Sequence, residues 1–323
     1  MQGYPGTISF LSQSGGHTET LADIGVAREI RFSKMISFGN GSDLNEIDFL
    51  KYLAVDPETE ILGTYVENGK NGRLIFDLIK EIARSKPVVV WKGGETEAGG
   101  EIAASHTGSL AGSNIIWESA INQAGAVKVS SLNELADTFL AFQNISRLKG
   151  NRAGIISQLG GGAGGVAVSA ADICTWHGLD VPSLAGKTHD RLSAVIRSAG
   201  TILRNPLDLG LAGRFPDVLK EVLSILDDDP SLDLIMVTER MDFLLLFYSL
   251  DEINTMNDVL TDFRAKGKKP LIVVSTPASS DLERIAAEKK LLEDRIPVYS
   301  SFDRAAKAVA NLIKYWRNNE LKD

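Results

Sequence analysis

The chain has 323 residues, 44% hydrophobic and 24% charged, with a formal net charge of −8. That suffices for two ordinary domains with buried cores, and the acidic balance excludes a general binder of nucleic acid or of anionic membranes. One cysteine, Cys174, excludes an internal disulfide, and no run approaches the roughly 20 apolar residues that span a bilayer. The opening MQGYPG leads directly into a strand pattern without the form of a signal peptide, so a cytoplasmic setting is expected.

In chain order, the predicted elements begin with a strand, TISFLS (7–12), and a glycine turn that opens a helix. There follow a strand KMISFG (34–39), a helix EIDFLKYLAV (46–55), a strand EILGTYVE (60–67) and a helix LIFDLIKEIA (74–83). The strand PVVVW (87–91), a long glycine-rich segment and the strand AVKV (126–129) complete the series. Strands alternating with helices predict an α/β fold with a doubly wound parallel sheet.

The series then repeats. SFLSQSGG (9–16) is matched by GIISQLGG (154–161), SKPVVV (85–90) by KKPLIV (268–273), and VKVSSLNELADTF (127–139) by PVYSSFDRAAKAV (297–309). The expected domains are therefore 1–150 and 151–323, divided near Leu148–Asn151. From Pro87 to Ser130 is 43 residues, whereas from Pro270 to Ser300 is 30, so the first copy carries about 13 extra residues after its fourth strand. They fall within GGETEAGGEIAASHTGSLAGSN, read as an elaborated loop at a strand's end, where open α/β sheets hold ligands.

That loop contains Gly93, Gly94, Ser105, His106, Thr107 and Gly108. A neutral imidazole nitrogen is a competent nucleophile near neutral pH, and glycines let a loop move, so His106 could carry a group between two places. A plain surface hydrogen bond is the alternative. His17 follows Gly15-Gly16 at a helix start, His177 precedes Gly178 at a helix end, and His189 sits in a polar helix start. No HExxH, paired-cysteine spacing or GxSxG elbow appears, so neither a metal site nor a serine hydrolase is expected.

Each copy also has a glycine turn between its first strand and the following helix. In the first it includes Ser12, Ser14, Gly15 and Gly16; in the second, Gly161, Gly162, Ala163, Gly164 and Gly165. Helix N-termini present free N–H groups and partial positive charge, so both turns are candidate phosphate sites; a tight connection is the alternative. Two such termini could face one phosphoryl group. Glu67 ends a strand and could fix an imidazole tautomer, or be a solvated residue before a turn. Asp208, in Asn205-Pro206-Leu207-Asp208, is read as a turn former that could also meet a ligand.

These segments resemble the NDP-forming acyl-CoA synthetases, relatives of the succinyl-CoA synthetase α subunit. The resemblance rests on SQSGG (12–16), SFGNGSDLNEIDFLKYLAVDPETE (37–60), YVENGKNGR (65–73) and above all WKGGETEAGGEIAASHTGSLAGSN (91–114), with GGGAGGVAVSAAD (160–172) and NPLDL (205–209) in the second copy. It implies two tandem flavodoxin-like domains. It also implies that His106 is phosphorylated in turnover, that Glu67 steadies the phosphohistidine, and that the two glycine-led helices hold the phosphoryl group. Acyl-CoA, phosphate and ADP would interconvert with carboxylic acid, CoA and ATP, with Mg2+ in the full complex and no cofactor bound tightly. Family members usually carry a CoA-binding domain before the SQSGG strand and an ATP-grasp domain. Neither is expected here, so both become expected partners, in a homo- or hetero-oligomer, and a non-catalytic module that binds CoA esters or phosphometabolites is the competing reading. The acyl substrate is not legible.

Overall fold

A computed structural model describes residues 5–69, 71–107, 113–159, 164–196 and 200–320. The strands are β1 Ile8–Ser12, β2 Phe32–Ser37, β3 Ile61–Val66, β4 Val88–Lys92, β5 Val127–Val129, β6 Ala153–Ile156, β7 Leu234–Glu239, β8 Leu271–Ser275 and β9 Val298–Tyr299. The helices of the first half are α1 Gly15–Ala27, α2 Glu46–Val55, α3 Gly72–Ile82, α4 Glu97–Thr107, α5 Asn114–Ala124 and α6 Leu132–Asn144. Those of the second are α7 Gly164–Trp176, α8 Gly186–Val195, α9 Pro216–Asp228, α10 Met241–Leu244, α11 Leu250–Lys266, α12 Asp281–Glu293 and α13 Phe302–Glu320.

The chain forms two compact units, one of residues 1–143 with 314–323, the other of 144–313. In the first, five parallel strands run in the order β2-β1-β3-β4-β5. This is the flavodoxin-like order, and its direction of winding reverses between β1 and β3. Leu11, Leu62, Val88 and Val90 point to one face and pack with Leu50 and Leu53 of α2, Ile75 and Ile79 of α3, and Ile121 of α5. Local sequence starts these helices: Asn45 accepts from the Ile47 amide (2.9 Å) while Asp48 accepts from the Asn45 amide (3.1 Å), a reciprocal cap on α2.

In the second unit the parallel order is β6-β7-β8-β9, so β6, β7, β8 and β9 stand for β1, β3, β4 and β5. No strand fills the β2 position among the described residues. Isolated parallel bridges, Arg152 to Asp180 and Ile156 to Leu207, line that edge of β6 instead. The repeated serines have a repeated use: the Ser131 hydroxyl accepts from the Glu134 amide (3.2 Å) and the Ser301 hydroxyl from the Arg304 amide (3.3 Å). The architecture is the predicted pair of flavodoxin-like α/β folds.

The two copies differ where the spacing placed the extra residues. In the second unit β8 leads to α12; in the first, β4 leads to α4 and then α5. The predicted loop is thus in large part a helix. Thr96 supplies its cap, its hydroxyl accepting from the Gly99 amide (3.1 Å) and its carbonyl from the Gly100 amide (2.7 Å). The final turns of α13 belong to the first unit, where Tyr315 donates to the Ala83 carbonyl (3.0 Å) and Asn319 to the Gly125 carbonyl (3.2 Å).

Candidate functional site

The C-terminal edge of the first sheet gathers the candidate residues at the place where the strand order reverses. Ser12 ends β1, and its hydroxyl accepts from the Ser14 amide (3.0 Å) and donates to the Ser14 carbonyl (2.9 Å). Ser14 is the N-cap of α1, with extended backbone and a hydroxyl that accepts from the His17 amide (3.2 Å). Both hydroxyls therefore shape the turn. Gly15 and Gly16 are exposed as the first two residues of α1, and a Cβ built on Gly16 would meet nothing within 4 Å. Helix amides at this position have no intrahelical acceptor, so an anion can reach them.

Glu67 follows β3, the strand beside β1. Its backbone is tied to the first turn, because the Gln13 side-chain carbonyl accepts from the amides of Glu67 and of Asn68 (3.2 Å to the latter). Gln13 in turn donates its own amide to the Tyr65 carbonyl (3.1 Å). The Glu67 carboxylate accepts from the Tyr65 hydroxyl (3.1 Å). Rings surround that phenol: His17 stands edge-on at 4.7 Å between centroids and Trp91 lies at 4.5 Å, while His17 and Trp91 are 4.6 Å apart.

Burial sets the charge states here. It pushes the His17 imidazole below its ordinary value, against the opposing pull of the Glu67 charge. It pushes the Tyr65 phenol well above its ordinary range, and the charge and hydrogen bond of Glu67 add to that. Lys92 ends β4 almost fully buried, its ammonium donating to the Gly93 carbonyl; burial lowers its pKa while Glu95 and Glu67 pull it back up. The edge thus holds a neutral phenol, a neutral-leaning imidazole and a buried lysine around one carboxylate.

Gly93 and Gly94 turn the chain from β4 toward α4. A Cβ on Gly93 would fall 2.4 Å from the Tyr65 hydroxyl, and Gly94 has φ +70°, so neither position admits another residue without strain. Ser105, His106 and Thr107 occupy the last turn of α4, which corrects the expectation that they lie in a glycine-rich loop. The reason is local: the Thr96 cap and Glu97 in the first turn begin a helix that Gly99 and Gly100 do not break. The Ser105 hydroxyl bonds back to the Ile102 carbonyl (2.9 Å). Gly108 lies outside the described residues.

In the second unit Gly164 and Gly165 open α7, whereas Gly161, Gly162 and Ala163 lie outside the described residues. Asp208 is buried and accepts from the Gly210 amide (2.9 Å), the turn-forming use. His177, just past α7, meets Asp303 at 2.8 Å, and His189 lies within α8. The register that pairs Leu11 with Thr64 and Ile156 with Val237 sets Arg240 where the first unit has Glu67, so the second copy lacks that acid. Among the described residues no three His, Cys, Asp or Glu side chains are grouped to hold a metal. No described helix is long and apolar enough to cross a membrane.

The sequence marks Glu67 as a strand-end acid but does not mark Gln13, Tyr65 or Trp91. For Tyr65 a signal existed: two residues before Glu67 on a strand, it shares that residue's face.

The strand order defines a class, the flavodoxin-like α/β domains. Residues 5–142 match the family of the succinyl-CoA ligase like flavodoxin domain. The chain belongs to the NDP-forming acyl-CoA synthetase family. It is 36% identical over 243 residues to acetate–CoA ligase [ADP-forming] I of Archaeoglobus fulgidus, covering 74% of this chain and 34% of that protein. It is 30% identical over 320 residues to the acetate–CoA ligase [ADP-forming] I subunit alpha of Pyrococcus furiosus, covering 96% and 64%. The acetyl-coenzyme A synthetase 1 of Ca. Korarchaeum cryptofilum, solved with phosphate and ADP, superposes with a TM-score of 0.82 at 26% identity, over 98% of this chain and 66% of that one. The chain thus spans from about a third to just under two thirds of the length of the two curated relatives, 34% and 64%.

Proposed function

We propose that this chain is the phosphohistidine-bearing part of an ADP-forming acyl-CoA synthetase, an acid–thiol ligase whose CoA-binding and ATP-grasp parts are supplied by partner domains or subunits. The observation that carries the reading is the seat of Glu67: it is fixed at the point of strand reversal, beside the open N-terminus of α1, in the same unit as the helix that bears His106.

In this reading a CoA-binding partner converts acyl-CoA and phosphate to acyl phosphate and free CoA. The neutral imidazole of His106 attacks the phosphorus of the acyl phosphate, a nitrogen–phosphorus bond forms, and the bond from phosphorus to the acyl oxygen breaks. The carboxylate leaves with that electron pair. A β-phosphate oxygen of ADP, held with its Mg2+ by the ATP-grasp partner, then takes the phosphoryl group and regenerates the imidazole. Glu67 accepts the second ring N–H and balances the charge that develops on the ring. The Gly15 and Gly16 amides offer donors to the phosphoryl oxygens. Support comes from the family, from relatives named as acetate–CoA ligases [ADP-forming], and from an ADP- and phosphate-bound structural relative.

The test is incubation of the chain with radiolabelled ATP in an extract of its source cells, beside a His106→Ala variant. Acid-labile, base-stable label in the wild type alone supports the reading. Label in neither, with both chains folded, favours a binding module without turnover, and equal label in both moves the carrier elsewhere, with His17 next.

A further inference from the structure

Tyr65 is 6% exposed in the middle of the site, yet it lies in a strand and carries none of the chemistry assigned above. Its hydroxyl points at the Glu67 carboxylate at 3.1 Å, on the face the two share as residues two apart. Its ring cannot swing away, because His17 and Trp91 pack on it at 4.7 and 4.5 Å. Across the sheet, Gly93 leaves the space the hydroxyl fills, since a Cβ there would come within 2.4 Å of it. Three separate parts of the chain, the start of α1, β4 and the turn after β4, thus surround one phenol side chain.

We propose that Tyr65 is a positioning residue: by donating its hydroxyl hydrogen to Glu67, it holds the carboxylate in the one orientation that can accept the N–H of the phosphorylated imidazole. This rests on the proposed function, in which Glu67 serves His106. Holding one carboxylate oxygen on a rigid phenol restricts rotation of the Glu67 side chain before the reaction begins. Burial and the Glu67 charge keep the phenol protonated across the working pH range, so the donor is always present.

The experiment uses the full assembly purified from its source, with radiolabelled inorganic phosphate and acetyl-CoA as probes, and follows label on His106 in a single turnover. Tyr65→Phe keeps the ring and removes only the donor. The expected result is label appearing about tenfold more slowly, the effect of losing a hydrogen bond to a charged group, with the half-saturating phosphate concentration unchanged. In a Glu67→Gln background, Tyr65→Phe is expected to add no further loss, because its effect runs through the carboxylate. An unchanged rate in Tyr65→Phe, or losses that multiply in the double variant, would overturn the positioning role while leaving His106 phosphorylation intact. A wild type that takes no label overturns the proposed function itself and the role of Tyr65 with it.

Discussion

The side chain of Gln13 accepts the backbone amide of Glu67, so the turn after β1 and the end of β3 are joined by one residue. The same oxygen accepts from Asn68 at 3.2 Å. Gln13→Ala leaves two amides without that acceptor at a partly buried site. We expect a loss of about 1–3 kcal/mol, read as a lower midpoint in urea unfolding, together with slower His106 labelling. An unchanged midpoint would show that the loop after β3 holds itself.

Gly93→Ala tests the space reserved for Tyr65. The added methyl carbon would stand 2.4 Å from the phenolic oxygen, far inside contact distance. Either the β4 turn or the phenol must shift, at an expected cost of about 1–3 kcal/mol. Thermal unfolding measures the cost, and the Gly93→Ala, Tyr65→Phe double variant should recover part of it.

Glu239 gives a pH dependence of a sign unusual for a carboxylate. It ends β7 fully buried, and burial raises its pKa from 4.5 to about 7, with Glu288 adding to the rise and the Asn257 amide (3.2 Å) opposing it. Between those values the folded protein holds a proton that the unfolded chain has lost. Stability from this group is therefore full below about pH 4.5, falls as pH rises, and is flat above about 7. Glu239→Gln should stabilise by on the order of 3 kcal/mol at pH 8 and change little at pH 4, as read by urea midpoints at the two values.

Tyr315→Phe tests the return of the C-terminal helix to the first unit. The phenol is buried, its pKa pushed up to about 12 by that burial, and it donates to the Ala83 carbonyl at 3.0 Å. Loss of the donor should cost about 1 kcal/mol, while removal of residues 314–323 should cost several times more, because the ring also packs against Phe142. Equal effects would mean that the hydroxyl, not the packing, holds the tail.

Much of this was legible from the chain. β-Branched runs gave the strands, and three matched segments in the same order gave the repeat, because strand period and turn and cap residues are local properties. Glu67 was legible as a strand-end acid. What could not be read depended on partners distant in sequence. Gln13 has meaning only once β3 lies beside β1, and the edge of the second sheet, where no strand takes the β2 position among the described residues, only once Asp180 and Leu207 are seen to bridge Arg152 and Ile156. The segment around His106 departs from its sequence expectation for a different reason. Its glycines argue against a helix by propensity, but the Thr96 cap and the close seat of Ala103 on Gly94 decide otherwise.

That helix bears on the mechanics of the proposed group transfer. A loop would deliver its histidine by many small, uncorrelated torsions, each adding entropy to be lost at the destination. α4 would instead act as a lever, with the Gly93–Gly94 turn before it as the fulcrum. At 1.5 Å per residue its far end lies roughly 14 Å from Glu97, so a rotation of about 20° at the fulcrum would sweep the backbone of His106 through roughly 5 Å. The four backbone dihedrals of Gly93 and Gly94 would then set the stroke, and a substitution at Gly93 would disturb the Tyr65 hydroxyl as well.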